Sequence, residues 1–321
     1  MPSETLPRVQ PDELEVYRRE LTGYCYRMLG SGFEAEDAVQ DTMLRAWRSA
    51  DRFEGRASVR SWLYRIATNV CMDMLRGRRR RARPMELGPS SPPDEEHLGS
   101  VLPEHMWVTP IPDGSVLPED GDPAEIAVAR DTVRLAFVTA LQHLPARQRN
   151  TSHKMRTAAE AASLLGTSVA AVNSALQRAR ATLAALPDTA RPRNVAADQA
   201  PLLARYVSAF ERYDMSSLVT LLHEDAVQSM PPFAMWIQGA KNITTWMVQP
   251  GPSECAGSRL LPVMANGCQG FGQYRIDPEG GYKPWALQVV EISGDQIAEL
   301  HFFLDTESLF PAFGLPAHLP A

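Results

Sequence analysis

The chain has 321 residues, 44% of them hydrophobic, and a net charge of −6, which allows two or three domains with packed cores. It has no apolar run of about 18 residues, which excludes a membrane-spanning helix, and no signal-peptide core at its start. The four cysteines (Cys25, Cys71, Cys255 and Cys268) form no CxxC pair. This usage excludes a zinc site or disulfide framework and predicts a cytoplasmic protein without metal or cofactor.

Three amphipathic helices are predicted in residues 12–83. Apolar side chains recur at spacings of three and four over residues 14–28, and a Gly-Ser-Gly stretch ends this first helix. The second helix starts with acidic residues, which suit the positive end of a helix, and it runs to Trp47. After a polar loop, Ser58 or Ser61 can cap the third helix. The pattern predicts a compact helical domain.

Positive charge is concentrated in Arg56–Arg83, where nine arginines accompany a single acid, Asp73. Such a segment in an acidic protein indicates a binding site for a polyanion and favours nucleic acid. Trp62 and Tyr64 lie among the arginines, and aromatic rings beside cations suit unstacked bases. Helical periodicity leaves open whether each ring contacts bases or belongs to the core.

Residues 84–125 differ sharply in composition, with nine prolines, ten acids and no lysine or arginine. This composition predicts a flexible linker. A second interpretation is that the acidic stretch mimics nucleic acid and competes for the basic segment.

Residues 126–186 are predicted to be helical. A helix over 131–144 is followed by two helices, 158–166 and 168–185, around Gly166, a pattern typical of a helix-turn-helix. The second of these carries polar and basic side chains that can read base edges and hold phosphates. Residues 187–200 are predicted to be a second linker.

The remaining residues, 201–316, are predicted to form an α+β domain. Helices come first, and strands are predicted at 226–230, 259–265, 285–292 and 296–304. Alternation in the last strand puts Glu299, His301 and Asp305 on one face, where they are expected to line a pocket. The fold class is therefore multidomain, with two all-α domains followed by an α+β domain.

These segments resemble a known family. EDAVQDTMLRAW (36–47) and FEGRASVRSWLYRIATNVCMDMLR (53–76) resemble region 2 of extracytoplasmic-function sigma factors. LPARQR (144–149) and TSVAAVNSALQRARATL (167–183) are similar to their region 4. The stretches 205–232 and 286–305 resemble the cone-shaped SnoaL-like fold. The three-part order is similar to that of sigma factors with a fused SnoaL-like domain.

The resemblance implies three sets of contacts. The partners would be promoter DNA and core RNA polymerase, through its β′ clamp and β flap. Residues matching the polymerase-binding surface are Asp37, Gln40, Asp41, Leu44 and Trp47. Residues matching the contacts to the promoter −10 element are Glu54, Gly55, Arg56, Ser58, Arg60, Trp62, Arg65, Asn69, Arg76, Arg78, Arg79 and Arg80. Residues matching the −35 contacts are Ser168, Asn173, Ser174, Gln177 and Arg178.

One stretch departs from the family pattern. After LPARQR the family has an apolar helix, whereas this chain reads NTSHKMRTAAEAASLLG, with Met155 the sole large apolar residue before Leu164. The stretch is also about four residues shorter by comparison with the family. We therefore expect weakened or conditional binding of the −35 element.

The sequence favours a transcription initiation factor that catalyses no reaction. His301 and Asp305 lie four residues apart on a predicted strand, too far for a direct catalytic pair. A regulatory C-terminal domain, perturbed by a pocket ligand, fits better. Two alternatives stay open: a SnoaL-like cyclase or isomerase with helical DNA-binding domains, and a DNA-binding repressor that never contacts polymerase.

Overall fold

The computed structural model describes residues 11–53, 58–78, 80–120, 122–149, 168–171, 173–174, 177 and 199–321. The chain divides into two compact units. The helical unit comprises the N-terminal residues as far as Arg81 together with the stretch from Gly114 to Arg191. The sheet unit comprises Ala82–Asp113 and the residues from Pro192 onward. Among the described residues, no helix is long and apolar enough to cross a bilayer.

The helical unit begins with α1 (Pro11–Glu15), α2 (Arg18–Leu29), α3 (Gly32–Ser49) and α4 (Val59–Met74). Helix α2 ends at Gly30, whose φ of 75° is readily adopted by glycine. The side chain of Ser31 accepts a hydrogen bond from the Glu34 amide and caps α3. Ser58 caps α4 in the same way, so the three predicted helices and this predicted cap are confirmed.

Two further helices pack on α2. The predicted helix over 131–144 is broken, because Arg134 has ψ 143° and separates α5 (Pro123–Val133) from α6 (Leu135–Gln142). Gln142 Nε2 donates to the Arg27 carbonyl at 3.3 Å. After the short α7 (Ala146–Arg149), Arg149 Nη1 donates to the carbonyl of Met28 at 2.8 Å. The first helices of the predicted region 4 therefore belong to the same compact unit as region 2. They do not form a domain separate from region 2.

The sheet unit contains one six-stranded sheet in the order β2-β1-β6-β5-β4-β3, in which only the β1–β6 pair is parallel. Its strands are β1 (Leu222–Ser229), β2 (Trp236–Gln238), β3 (Arg259–Ala265), β4 (Cys268–Ile276), β5 (Tyr282–Ser293) and β6 (Gln296–Phe303). Its helices are α8 (Ala200–Glu211), α9 (Met215–Val219), α10 (Ala240–Met247), α11 (Pro250–Ser253) and α12 (Thr306–Ala312). This arrangement confirms the predicted α+β class.

Strand β4 was missing from the sequence prediction. Glycines and polar residues interrupt its apolar pattern, which reads CQGFGQYRI. Gly270 is needed because a Cβ there would lie 2.8 Å from the carbonyl oxygen of Gln288 on the neighbouring strand. The residues that hid the strand are thus required by its close packing.

The prediction of a flexible linker over 84–125 is wrong for residues 84–113, which pack within the sheet unit. The Ser91 amide donates to the Trp236 carbonyl at 2.7 Å, and the Trp236 indole donates back to the Gly88 carbonyl at 2.9 Å. Trp107 and Ile111 are 3% and 0% exposed. The prolines prevent regular helix, but these apolar side chains and backbone hydrogen bonds still fix the segment. We call residues 82–113 the strap.

The rest of the first predicted linker and the second predicted linker do not belong to the strap. From Gly114 onward the chain belongs to the helical unit, where Val116 and Leu117 are buried and Glu119 pairs with Arg19. Of the second predicted linker, residues 187–198 lie outside the described part of the chain, and α8 begins at Ala200.

Candidate functional site

The predicted polymerase-binding residues form the outer face of α3. Their spacing of three and four puts them on the side opposite the buried Ala35, Ala38 and Ala46. Leu44 and Trp47 are 44% and 61% exposed. The acidic and amide residues Asp37, Gln40 and Asp41 accompany them, and Asp41 pairs with Arg45 at 2.8 Å. Large apolar groups exposed among acids are typical of a protein-binding surface.

The aromatic residues of α4 belong to the core. Trp62 is 7% exposed and packs on Phe53 with ring centroids 4.9 Å apart. Tyr64 meets Tyr24 edge to face at 4.9 Å, and its hydroxyl donates to Glu20 at 2.8 Å. Burial raises the pKa of Tyr64 far above its usual range, so the hydroxyl stays protonated. The structure thus places the Trp62 ring in the core against Phe53, and the expectation that it contacts the promoter stays a prediction.

The remaining predicted −10 residues on α4 divide into two groups. Arg60 is committed to an ion pair with Glu20, and its guanidinium lies 5.2 Å from the centre of the Tyr64 ring. Arg65 and Asn69, one helical turn apart, are both exposed. Ser58 is exposed and caps the helix. Glu54, Gly55 and Arg56 lie outside the described residues.

The arginine run after α4 is not a uniform row of free cations. Arg76 has 81% of its side chain exposed and contacts Asp73 at 3.0 Å, whereas Arg78 pairs with Glu34. Arg80 is exposed and lies 2.8 Å from a ring nitrogen of His143. Arg79 lies outside the described residues. Among the described arginines of this segment, the exposed side chains that we expect to reach phosphates are thus Arg65, Arg76 and Arg80.

The predicted −35 residues are described only in part. The Ser168 hydroxyl accepts a hydrogen bond from the Ala171 amide at 3.2 Å, as expected of a helix cap. Asn173, Ser174 and Gln177 are helical and exposed. Arg178 and the polar stretch 150–162 lie outside the described residues, so the expectation of weakened −35 binding is not tested by the structure.

The three predicted pocket residues of β6 do not form a pocket. Glu299 and His301 are each 1% exposed, and His301 Nε2 lies 3.0 Å from Glu299 Oε2. Asp305 lies beyond the end of β6, where its carboxylate caps α12 through the Ser308 amide. The strand ends at Phe303, so the alternation used to place Asp305 beside His301 does not extend to it.

The strap covers the buried pair. Arg83 Nη1 donates to Glu299 Oε2 at 2.8 Å, and both side chains are nearly inaccessible. His301 Nδ1 lies 2.8 Å from the hydroxyl of Ser229 on β1. Glu291, Glu299 and His301 could each place one ligand atom within 4.8 Å of the others. The Arg83 guanidinium already lies against Glu299, so the cluster is best described as a buried ion pair with a histidine.

A cavity of about 400 Å³ lies on the other face of the sheet. Gln228 and Phe302, which alternate with Ser229 and His301 along their strands, both line it. The sequence prediction chose the wrong face of β6, because polar residues drew attention to the side that the strap buries. The apolar partners Phe302 and Leu304 were the better signal for a cavity.

Comparison with known proteins agrees with this architecture. Residues 14–81 match the Sigma-70 region 2 family. The chain is 44% identical over 314 residues to the ECF RNA polymerase sigma factor SigG of Mycobacterium tuberculosis, covering 95% of this chain and 83% of that one. It is 26% identical over 304 residues to SigJ of the same species, covering 89% and 88%.

A solved structure has the same fold over nearly the whole length. The crystal structure of Mycobacterium tuberculosis SigJ aligns with a TM-score of 0.60 at 21% identity, covering 96% of this chain and all of that one. The shared fold therefore includes the C-terminal α+β domain as well as the helical unit. By its similarity to SigG over most of both chains, this protein belongs to the extracytoplasmic-function RNA polymerase sigma factors.

Proposed function

We propose that the chain directs transcription initiation by docking on core RNA polymerase through the outer face of α3. The observation that carries this assignment is the exposure of Leu44 and Trp47 beside Asp41 on a helix whose other face is fully packed. The apolar groups supply contact area. The acidic side chains favour a partner surface with positive charge and fix its orientation. The β′ clamp would occupy this face, and the β flap would contact region 4.

Promoter DNA would bind along the exposed side of α4 and the arginines that follow it. Arg65, Arg76 and Arg80 present exposed guanidinium groups, and Asn69 offers an amide that can hydrogen-bond a base edge. Residues 54–57 would complete the −10 site. Extruding a base costs a few kcal/mol, which contacts to phosphates must offset. We assign the chain no catalytic step of its own, since Glu299 and His301 are buried beneath Arg83.

Reversing the charge of Asp41 is expected to abolish polymerase binding. An arginine in the centre of the α3 face would oppose a basic partner surface, and like charges at an interface cost several kcal/mol. The measurement is co-purification of Asp41→Arg with core polymerase, followed by run-off transcription. Glu125→Arg, the same charge change on the exposed side of α5, is the matched control and should bind normally. Unchanged binding of Asp41→Arg would remove α3 from the interface.

Removing the exposed guanidinium of Arg76 is expected to weaken promoter binding equally for all sequences. A phosphate contact carries no sequence information, so Arg76→Ala should lower the salt dependence of log K by about 1. Titration of the holoenzyme with a fork-junction promoter at several salt concentrations measures this slope. Arg18→Ala, an exposed arginine on α2 paired with Glu15, is the control and should leave the slope unchanged. An unaltered slope in Arg76→Ala would exclude it from the DNA contact.

The C-terminal domain is proposed to regulate initiation through the strap. The strap follows Arg81 directly along the chain, and it contacts the SnoaL-like domain through the Arg83–Glu299 pair and the hydrogen bond from Trp236 to Gly88. Whatever changes the packing of residues 82–113 therefore changes the constraint on the segment that joins regions 2 and 4. The test is run-off transcription with variants of the strap.

A further inference from the structure

The cavity of the sheet unit has the volume and the lining of a small-molecule site. Its volume of about 400 Å³ lies within the range of about 300–1,000 Å³ found for ligand pockets. Most of its wall is apolar, and aromatic side chains from four different elements meet there: Phe210 of α8, Trp246 of α10, Trp285 of β5 and Phe302 of β6. Such a wall favours a ligand with an apolar body, to which the rings supply face and edge contacts.

One cation belongs to this wall, the guanidinium of Arg275 on β4. The residue is 8% exposed and lines the cavity. Its guanidinium carbon lies 3.3 Å from the centre of the Trp285 ring, and its nitrogens contact the Gly251 carbonyl, the Glu254 carboxylate and the Cys255 thiol. All four of these residues line the cavity as well. The positive charge therefore lies in the wall of the cavity, largely shielded from bulk water.

The carboxylate that Arg275 contacts is far more exposed than Arg275 itself. Glu254 has 72% of its side chain exposed, whereas Arg275 has 10%, and a hydrogen bond of 3.1 Å joins the two. An exposed carboxylate is well hydrated, so Glu254 loses little by turning to water. The thiol of Cys255, 3.0 Å from Arg275, is a weak acceptor. Arg275 is therefore able to exchange Glu254 for an anion inside the cavity, where water screens the attraction less.

We propose that this cavity binds an apolar carboxylic acid as its anion, with the carboxylate on Arg275 in place of Glu254. The apolar body would lie among the rings of Phe210, Trp246 and Phe302. Folding has already removed most of the water from the guanidinium, so the ligand gains a charge-assisted hydrogen bond without desolvating this arginine again. The site stands apart from the proposed initiation function, because its lining residues belong to neither α3 nor α4.

The binding test uses the full-length chain at neutral pH and two planar probes of nearly the same shape, 2-naphthoate and 2-naphthamide. Isothermal titration calorimetry measures both dissociation constants. We expect 2-naphthoate to bind at least about fivefold more tightly, because its hydrogen bond to Arg275 joins two charged groups and that of the amide joins one charged group to a neutral one. A smaller preference, or no binding of 2-naphthoate, would overturn the proposal.

Three variants test whether the preference comes from Arg275. Arg275→Met should bind both probes alike, whereas Glu254→Gln, which lacks the competing carboxylate, should bind 2-naphthoate about twofold to threefold more tightly than the wild type. Arg259→Met is the matched control, because Arg259 is half exposed and lies outside the cavity wall, and it should keep the wild-type preference.

Thermal unfolding checks that each variant is folded, and Glu254→Gln decides the matter if Arg275→Met is not. A retained preference in folded Arg275→Met, or unchanged or weaker binding of 2-naphthoate by Glu254→Gln, would refute the assignment. These measurements use neither polymerase nor DNA, so a failed Asp41→Arg experiment would leave their results interpretable.

Discussion

Replacing Arg83 by methionine is expected to destabilise the sheet unit by about 3–5 kcal/mol, because it leaves a buried carboxylate without its cation. Arg83 and Glu299 have 4% and 2% of their side chains exposed and lie 2.8 Å apart. The methionine keeps the length and apolar stem of the side chain, so the loss is mainly electrostatic. Urea unfolding followed by hydrogen exchange of β6 amides measures the change in the unit that contains the pair.

A double-mutant cycle separates the ion pair from its surroundings. Arg83→Met/Glu299→Gln removes both charges and should recover part of the lost stability, since the carboxylate that lost its cation is neutralised as well. Arg259→Met is the matched control in the same unit. Its guanidinium is 3.7 Å from Glu211 and its side chain is half exposed, so about 0–1 kcal/mol is expected. Equal losses in Arg83→Met and Arg259→Met would show that burial adds nothing to the strap contact.

Arg83→Met also tests the regulatory role of the strap. Weaker packing of residues 82–113 should alter promoter-dependent transcription by the full-length chain at a temperature at which the helical unit stays folded. Arg259→Met should transcribe like the wild type. This comparison is sharper than truncation at residue 200, because truncation would also expose Trp107, Val108 and Ile111 of the strap. Unchanged transcription by a destabilised Arg83→Met variant would show that packing of the strap in the C-terminal domain does not regulate initiation.

The sequence was most informative where local pattern and tertiary role coincide. Periodicity predicted α2, α3 and α4, a serine cap predicted the start of α4, and the exposed face of α3 follows from the same periodicity. The strap could not be predicted, because composition reports the propensity of a segment to fold alone and the strap is held by a sheet distant in sequence. The prediction that Asp305 lies beside His301 failed for a related reason. Alternation of side chains along a strand does not indicate the residue at which the strand ends.

The candidate nucleic-acid site shows the same limit. Counting arginines in 56–83 identified a basic segment correctly, but the count could not separate Arg76, which is exposed, from Arg81 and Arg83, which are buried against Glu34 and Glu299. Each buried pair joins residues far apart in sequence, and such pairing depends on the fold. The number of cations available to DNA is therefore smaller than composition indicates.

Replacing Trp62 by alanine is expected to destabilise the helical unit by about 3–5 kcal/mol, the usual cost of truncating a large buried aromatic side chain. The indole is 7% exposed and packs on Phe53, the last described residue before the loop of the predicted −10 site. Its removal opens a cavity between α4 and the short turn that ends at Phe53. The melting temperature of the helical unit and the extent of promoter opening should therefore fall together.

The conservative variant distinguishes a core residue from a base-contacting one. Trp62→Phe retains much of the apolar contact with Phe53 and should recover most of the stability and, with it, promoter opening. A ring that acts by stacking on an unpaired base would give a different result: Trp62→Ala would lose promoter opening with unchanged unfolding, and the melting temperature would not follow the size of the side chain. Measurement of both quantities on wild type, Trp62→Phe and Trp62→Ala therefore decides whether this residue contributes to the promoter site by supporting its loop or by direct contact.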